Sequence, residues 1–276
     1  FDVLAKDASD IFYSPDEKKI IFLQQKENDW TLTLIDLEKN TTQELVRGKQ
    51  LSKQTARLKN LKLSPNAKKL LIETEENKTV KHYIADISTT PATIIQLPYL
   101  DKETNDINYV YFNYRDSEKL MLLKKNEVKE VNLANKTISP GLIENVLALS
   151  AFADSLYYLD ASGLIYKTDY NFNSREQITN KAISVNQTAS YSIERLPPNL
   201  LLKEDNVVYY LDREDRSFKK LSDFAIGAKP SPDLKKLAFW NNYELWVFYL
   251  EKSDDQPQKQ LYEKSFLTRF SGKIEN

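Results

Sequence analysis

Short apolar runs alternate with polar positions along most of the chain, and turns rich in Asn, Asp and Ser separate the runs. Alternation over four to eight residues is typical of half-buried β-strands, and no stretch keeps a helical period over three turns. Three stretches show the pattern most clearly. They predict strands at 10–14, 19–25, 31–37 and 41–46; at 60–64, 69–75, 80–87 and 92–97; and at 225–229, 236–240, 244–250 and 259–262. The sequence therefore predicts an all-β fold.

A repeat underlies this pattern. SPDEKKIIF at 14–22, SPNAKKLLI at 64–72 and SPDLKKLAF at 231–239 each combine Ser-Pro, a turn, a Lys pair and an apolar strand. Weaker copies occur at 114–123, 151–160 and 196–205. The first strand residues after the six turns are Ile20, Leu70, Leu120, Leu156, Leu200 and Leu237. Their mean spacing of about 43 residues matches one four-stranded propeller blade. We predict a β-propeller of about six four-stranded blades, with a seventh if the full-length protein extends further.

The Ser-Pro-Asp turn has a mechanical explanation, because Pro fixes φ and Asp can bond its own backbone. The unit running from Phe12–Asp16 to Ile35–Leu37, with a second copy ending at Ala85–Ile87, resembles the Ser-Pro-Asp-Gly-Lys repeat of TolB and related bacterial propellers. This resemblance implies the fold. Some such propellers belong to envelope proteins with a membrane anchor and a PEGA domain, and others gate prolyl-oligopeptidase-like hydrolases. The family's turn glycine is replaced here by Glu17, Ala67 and Leu234, so we expect a different turn type.

Composition excludes several functions. The 39 basic and 40 acidic residues give a net charge of -1, and no basic tract is interleaved with aromatics. We therefore predict no nucleic-acid partner. The chain has no cysteine and a single histidine, His82, so thiol chemistry, zinc sites and Ser-His-Asp triads are not expected. No Gly-x-Ser-x-Gly or phosphate loop occurs. We predict a non-enzymatic domain with no cofactor and no metal.

Four charged or titratable features have simple structural interpretations. His82 lies on a predicted third strand and is expected to be packed or at the surface. The acidic pairs Glu75–Glu76 and Asp254–Asp255 are interpreted as solvated loop charge rather than acid–base pairs. The segment Asp212–Arg216 lacks the spacing and glycine of a calcium loop, and a charged hairpin turn is expected there.

Loop length gives the one indication of a binding surface. Arg47–Arg57 and Pro98–Asp106 are longer than the other connections and join consecutive blades. In propellers these loops share a face with the turns between second and third strands. Trp30, Tyr99 and Tyr243 lie in or beside these segments. Exposed there, they would suit a protein or peptide partner, since binding hot spots favour Trp and Tyr. Half-buried packing of these three residues is the alternative interpretation. For the function of the propeller, a small-molecule site in its central channel is a further alternative.

The length of 276 residues suits one propeller domain over 1–276. The longest apolar runs, such as Trp246–Leu250, are too short to span a bilayer, so no membrane contact is expected from this segment. Because the chain starts at Phe1, we expect a fragment of a longer protein. The tail at 266–270 is interpreted as the opening of another unit, and Phe1–Leu4 as an outer strand for the last blade. The absence of cysteine, the absence of an initiator Met and the resemblance to TolB-like propellers favour a protein-binding scaffold outside the bacterial cytoplasm, with the hydrolase-gating propeller as the alternative.

Overall fold

A computed structural model describes residues 8–14, 17–26, 29–52, 56–89, 91–101, 107–152, 154–196, 199–252 and 256–272. The described residues form six antiparallel sheets, and each sheet contains four strands that follow one another along the chain. The predicted all-β class and the four-stranded repeat are confirmed. The chain divides into two compact units, with sheets one to three in unit 1 and sheets four to six in unit 2. The single-domain organisation over 1–276 stays a prediction.

The described residues of unit 1 form twelve strands and two four-residue helices. Its elements are β1 (Ala8–Tyr13), β2 (Lys19–Lys26), β3 (Asp29–Asp36), β4 (Thr41–Arg47), α1 (Gly48–Leu51), β5 (Arg57–Leu63), β6 (Lys69–Glu76), β7 (Thr79–Asp86), β8 (Thr93–Gln96), α2 (Pro98–Asp101), β9 (Ile107–Asn113), β10 (Asp116–Lys124), β11 (Glu127–Asn132) and β12 (Thr137–Ile138). In the described part of the chain, neither helix is long and apolar enough to cross a membrane.

Unit 2 is built in the same way from twelve described strands. They are β13 (Val146–Ala151), β14 (Leu156–Asp160), β15 (Ile165–Thr168), β16 (Arg175–Gln177), β17 (Tyr191–Leu196), β18 (Asn199–Glu204), β19 (Val207–Asp212), β20 (Ser217–Ser222), β21 (Gly227–Pro230), β22 (Lys236–Trp240), β23 (Glu244–Tyr249) and β24 (Lys264–Arg269). The six residues used to measure the repeat all lie in the second strand of their sheets, so the register deduced from the sequence is confirmed.

The three Ser-Pro turns share one hydrogen-bond pattern. In the second copy, the Ser64 hydroxyl accepts from the backbone N–H of Lys69 at 2.8 Å, and the Ser64 carbonyl accepts from Ala67 N–H at 2.9 Å. Ser14 and Ser231 make the equivalent bonds. The residues in the glycine position adopt the left-handed backbone that favours glycine, with φ of 58° at Glu17, 52° at Ala67 and 59° at Leu234. The expected change of turn type relative to the TolB-like repeat stays a prediction.

Apolar side chains from the strands pack between neighbouring sheets of the same unit. In unit 1, one cluster joins sheets one and two around Leu32 and Leu70, and another joins sheets two and three around Leu71 and Leu122. Unit 2 has equivalent clusters between sheets four and five and between sheets five and six. The burial of these residues explains the alternation seen in the sequence, because one or both faces of each sheet are covered.

The final sheet corrects two expectations. Its fourth strand is β24, not 259–262, and the tail at 266–270 therefore completes this sheet rather than opening another unit. Tyr262 has a φ of 65° and donates its N–H to the Tyr249 carbonyl at 2.7 Å, so the chain turns there. Its ring stacks against Phe248, whereas Phe266 reaches Trp246 on the sheet. Phe1–Leu4 lies outside the described residues.

Candidate functional site

An open depression of about 570 Å³ lies in unit 2, beside the turns between second and third strands of sheets five and six. We call it the aromatic groove. It is lined by the β18–β19 turn, the connection from β20 to β21, the β22–β23 turn and the end of β24. The lining residues are Asn206, Phe224, Ile226, Asn241, Asn242, Tyr243, Glu244, Arg269 and Phe270. The connection from β20 to β21 thus lies beside two turns between second and third strands, as expected for an inter-sheet connection.

Three aromatic rings at the groove are exposed. The exposed fractions are 73% for Phe224, 52% for Tyr243 and 44% for Phe270. Their backbones are fixed by local bonds, because Phe270 N–H donates to the Tyr243 carbonyl at 2.7 Å and Phe224 N–H donates to the Ser222 hydroxyl at 3.2 Å. Clustered exposed rings on a fixed backbone offer apolar area at low entropic cost to a partner.

The backbone beside these rings depends on a glycine. Ile226 N–H donates to the Trp240 carbonyl at 2.9 Å, which pairs the start of sheet six with the end of β22. A Cβ atom at Gly227 would lie 2.2 Å from Cζ2 of the Trp240 indole. Only glycine therefore allows the indole to lie against the chain at this point.

The polar groups of the groove are mostly satisfied by each other. The Asn241 side-chain oxygen accepts from the backbone N–H of Tyr243 at 2.9 Å and of Glu244 at 2.8 Å, which fixes the turn that carries Tyr243. Arg269 donates from Nε to Glu244 Oε1 at 3.1 Å. This bond, together with one from Asn241, holds the pKa of Glu244 below its ordinary value. The side-chain amides of Asn206 and Asn242 bond to none of the described residues.

The residues predicted as binding residues have different environments. Tyr243 is exposed in the groove. Trp30 is only 3% exposed, and its indole N–H donates to the Ala56 carbonyl at 2.7 Å, so this side chain packs rather than presenting a surface. Tyr99 lies half-buried on α2 against the cluster between sheets two and three. Residues 53–55 and 102–106 of the two long loops lie outside the described part. Both Trp30 and Tyr99 belong to unit 1.

Two of the groove aromatics, Phe224 and Phe270, were not predicted from the sequence. Phe224 opens the short apolar run Phe224–Ile226 directly after Asp223, and a run of this kind resembles the start of a buried strand. Phe270 was obscured because the tail was assigned to another unit. Phe270 could not be placed beside Tyr243 from the sequence, because their proximity depends on β24 completing the sixth sheet.

The charged candidates adopt structural roles. His82 is 2% exposed and its Nδ1 lies 3.4 Å from Asp101 Oδ1. Glu76 differs from the expected solvated charge, because it pairs with Lys81 and accepts from the Ser52 hydroxyl at 2.5 Å. The predicted hairpin turn after Asp212 is confirmed. Asp254–Asp255 lies outside the described residues. Within the described residues, no group of three or more His, Cys, Asp or Glu side chains is placed to hold a metal.

No family model and no curated protein matches this sequence. Several solved structures are similar to this chain. The β-propeller domain of Cps50 (Swd1) from Myceliophteria thermophila matches with a TM-score of 0.56 and 11% identity, over 99% of this chain and 89% of that one. A putative 6-phosphogluconolactonase from Bacteroides fragilis matches with a TM-score of 0.52 and 14% identity, over 99% and 87%. PorZ of Porphyromonas gingivalis matches with a TM-score of 0.50 and 13% identity, over 95% of this chain.

These similarities, with the six four-stranded sheets, define the fold as a six-bladed β-propeller. The chain spans 33% of the PorZ chain. At such identities the likeness concerns the fold alone, and one fold carries many functions. A function for this chain has to be argued from its own surfaces.

Proposed function

We propose that this chain is a protein-binding β-propeller domain that holds an extended segment of a partner protein in the aromatic groove. The observation that carries the proposal is the group of exposed rings, Phe224, Tyr243 and Phe270, around one open depression. Exposed apolar clusters rimmed by polar groups mark interaction sites on soluble domains.

The groove chemistry suits a partner segment of low charge. The Glu244 and Arg269 charges are paired with each other, so neither offers a strong site for an opposite charge. The side-chain amides of Asn206 and Asn242 are available to bond a peptide main chain. We expect the bound segment to carry apolar, aromatic or proline side chains that cover the three rings, with its backbone bonded to the Asn amides.

The same reasoning supports a non-enzymatic role. Glu244 is the one acid that lines the described groove, and its bond to Arg269 keeps it ionised and occupied. A general acid or base requires a carboxyl that can exchange its proton near the working pH. One of the similar structures is a putative lactonase, so the fold by itself does not decide whether this chain is an enzyme. The proposal therefore depends on the groove and not on the fold.

For the cellular context, we propose an extracytoplasmic domain of a bacterial envelope protein. The TolB-like repeat supports this, carried by the Ser-Pro turns at Ser14, Ser64 and Ser231. PorZ, one of the similar structures, is described as an essential bacterial surface component of a secretion system. The complete reading frame tests the context. An upstream apolar segment of about 20 residues supports an envelope anchor. A downstream α/β region with Gly-x-Ser-x-Gly instead indicates a hydrolase gate.

Peptide selection tests the groove directly. A random peptide library displayed on phage is selected against the native domain, and the affinities of enriched synthetic peptides are measured by fluorescence anisotropy. We expect Tyr243→Ala and Phe224→Ala each to weaken binding at least tenfold, which corresponds to about 1.4 kcal/mol. Tyr13→Ala is the matched control, because Tyr13 is 62% exposed in unit 1. Equal binding by all three variants and the native domain contradicts the proposal.

A further inference from the structure

A second cavity, of about 220 Å³, lies in unit 1 between sheets two and three. We call it the lysine pocket. It is lined by residues of β5, β6, β7 and β9, which are Lys59, Asn60, Lys62, Glu73, Val80, His82, Ile107, Asn108, Tyr109 and Val110. It is smaller and more highly charged than the aromatic groove, and the proposed protein binding makes no use of it.

The ammonium group of Lys62 is removed from water without a carboxylate partner among the described residues. It donates to the Val110 carbonyl and lies 3.9 Å from the centre of the Tyr111 ring. Burial lowers the pKa of this amine, and the charge of Glu73 opposes that effect only in part. The carbonyl takes one of the three N–H donors of the ammonium and the ring faces another, which leaves one donor for a further acceptor.

Glu73 supplies the opposite charge in the same pocket. It lies across from Asn60 on β5 and from His82 on β7, so these three side chains share one row on the same face. Lys62 pairs with Leu71 and is therefore a diagonal neighbour of Glu73, which places their Cα atoms roughly 7–8 Å apart. No ion pair joins Glu73 to Lys62 or to any other described residue.

An unjoined ammonium and carboxylate in one small cavity are complementary to a ligand with both charges. We infer that the lysine pocket binds a small α-amino acid as a zwitterion, with the ligand carboxylate on Lys62 and the ligand ammonium on Glu73. Each charge of the ligand then receives a charge-assisted hydrogen bond. The exposed Lys59 also lines the pocket, and its positive charge attracts the ligand carboxylate.

The inference does not rest on the proposed function, and small ligands test it. Glycine and L-alanine are titrated into the native domain while backbone amide shifts of β5 and β6 are followed by NMR. Acetate and methylammonium, which carry one charge each, are the comparison ligands. We expect saturable binding of glycine and L-alanine with millimolar or lower Kd, at least tenfold tighter than either single-charge ligand.

Two substitutions separate the two charges. Lys62→Met and Glu73→Gln are each expected to weaken glycine binding at least tenfold. Lys229→Met, at an exposed lysine of unit 2, is expected to leave it unchanged. Thermal unfolding of each variant checks the fold, and Glu73→Gln decides the matter alone if Lys62→Met is unfolded. Absence of saturable binding overturns the inference. If acetate and glycine bind equally tightly and Glu73→Gln leaves glycine binding unchanged, the inference that the pocket recognises a zwitterion is overturned.

Discussion

Unit 1 and unit 2 are built from the same four-stranded repeat, yet their openings differ in chemistry. The lysine pocket of unit 1 is small, and its lining includes Lys62 and Glu73, whose opposite charges do not pair with each other. The aromatic groove of unit 2 is larger, and its one acid is neutralised by Arg269. The repeated positions, which are the turn serine and the apolar second strand, are the same in both. Surface chemistry is therefore set by the residues between them, as expected for loops carried on a rigid scaffold.

Two of the three tryptophans, Trp30 and Trp240, show the same difference between the units. In unit 1, Trp30 lies at the start of a third strand and is covered by the connection that contains Ala56. In unit 2, Trp240 ends a second strand and is half-buried beside the open groove. Each indole lies close to a glycine, Gly48 in unit 1 and Gly227 in unit 2. An indole packed against a glycine is thus buried in unit 1, whereas in unit 2 the same arrangement lies beside an exposed site.

The largest expected difference in unfolding free energy is between a variant that lacks the buried ring of unit 1 and one that lacks the exposed ring of unit 2. Trp30→Ala removes a buried indole and leaves the Ala56 carbonyl without its donor, so we expect a loss of about 3–5 kcal/mol in unfolding free energy. Tyr243→Ala should change it by no more than about 0.5 kcal/mol. Urea unfolding followed by fluorescence measures both. Similar losses for the two variants would show that the groove aromatics are part of the core.

A glycine substitution tests whether the groove depends on close packing. Gly227→Val puts a branched side chain where a Cβ alone would be 2.2 Å from the Trp240 indole. We expect a loss of about 1–3 kcal/mol from overpacking, and with it weaker binding of the selected peptides. Gly272→Val is the control, because a Cβ at Gly272 has no heavy atom within 4 Å. Unfolding free energies within error of each other contradict the packing argument.

Glycine substitution in the shared Ser-Pro turn should change the unfolding free energy in opposite directions in the two units. Ala67 and Leu234 both hold a positive φ that glycine adopts without strain. Ala67→Gly in unit 1 relieves that strain and loses one methyl group, so a gain of about 0.5 kcal/mol is expected. Leu234 also packs against the cluster between sheets five and six. Leu234→Gly should therefore lose about 1 kcal/mol. Unfolding midpoints in urea decide this, and changes of the same sign contradict the explanation.

Much of the fold could be predicted from the sequence, because the repeat fixes the positions that form it. Ile20, Leu70 and Leu237 follow the Ser-Pro turns and alternate with polar residues, and this pattern, together with its weaker copies, located the second strand of each sheet. The last strand was misplaced for a physical reason. Lys259–Tyr262 is apolar enough to resemble a strand, but the position of Tyr262 is decided by ring contacts with Tyr210 and Phe248, which are distant in sequence.

The candidate sites were less accessible to prediction. Tyr243 was chosen from its turn, but a turn position does not determine burial, and the same reasoning chose Trp30, which is buried. The lysine pocket gave no local signal. Lys62 and Glu73 are eleven positions apart in charged, alternating strands, and their common face depends on the register between β5 and β6. Register and packing between sheets are long-range properties that composition and spacing do not contain.

The smallest expected effect concerns the charge pairing that distinguishes the groove from the lysine pocket. The bond from Arg269 lowers the pKa of Glu244 in the folded domain below its ordinary value of 4.5. The stabilisation from this bond is thus present above pH 4.5 and is lost as the pH falls through the folded-state pKa. Arg269→Met should raise the pKa of Glu244 towards its ordinary value without reaching it, because the Asn241 side-chain amide still donates to Glu244. NMR titration of the Glu244 carboxyl measures it. An unchanged pKa in the variant would mean that the groove charge is not neutralised by Arg269, and the contrast with Glu73 in unit 1 would then fail.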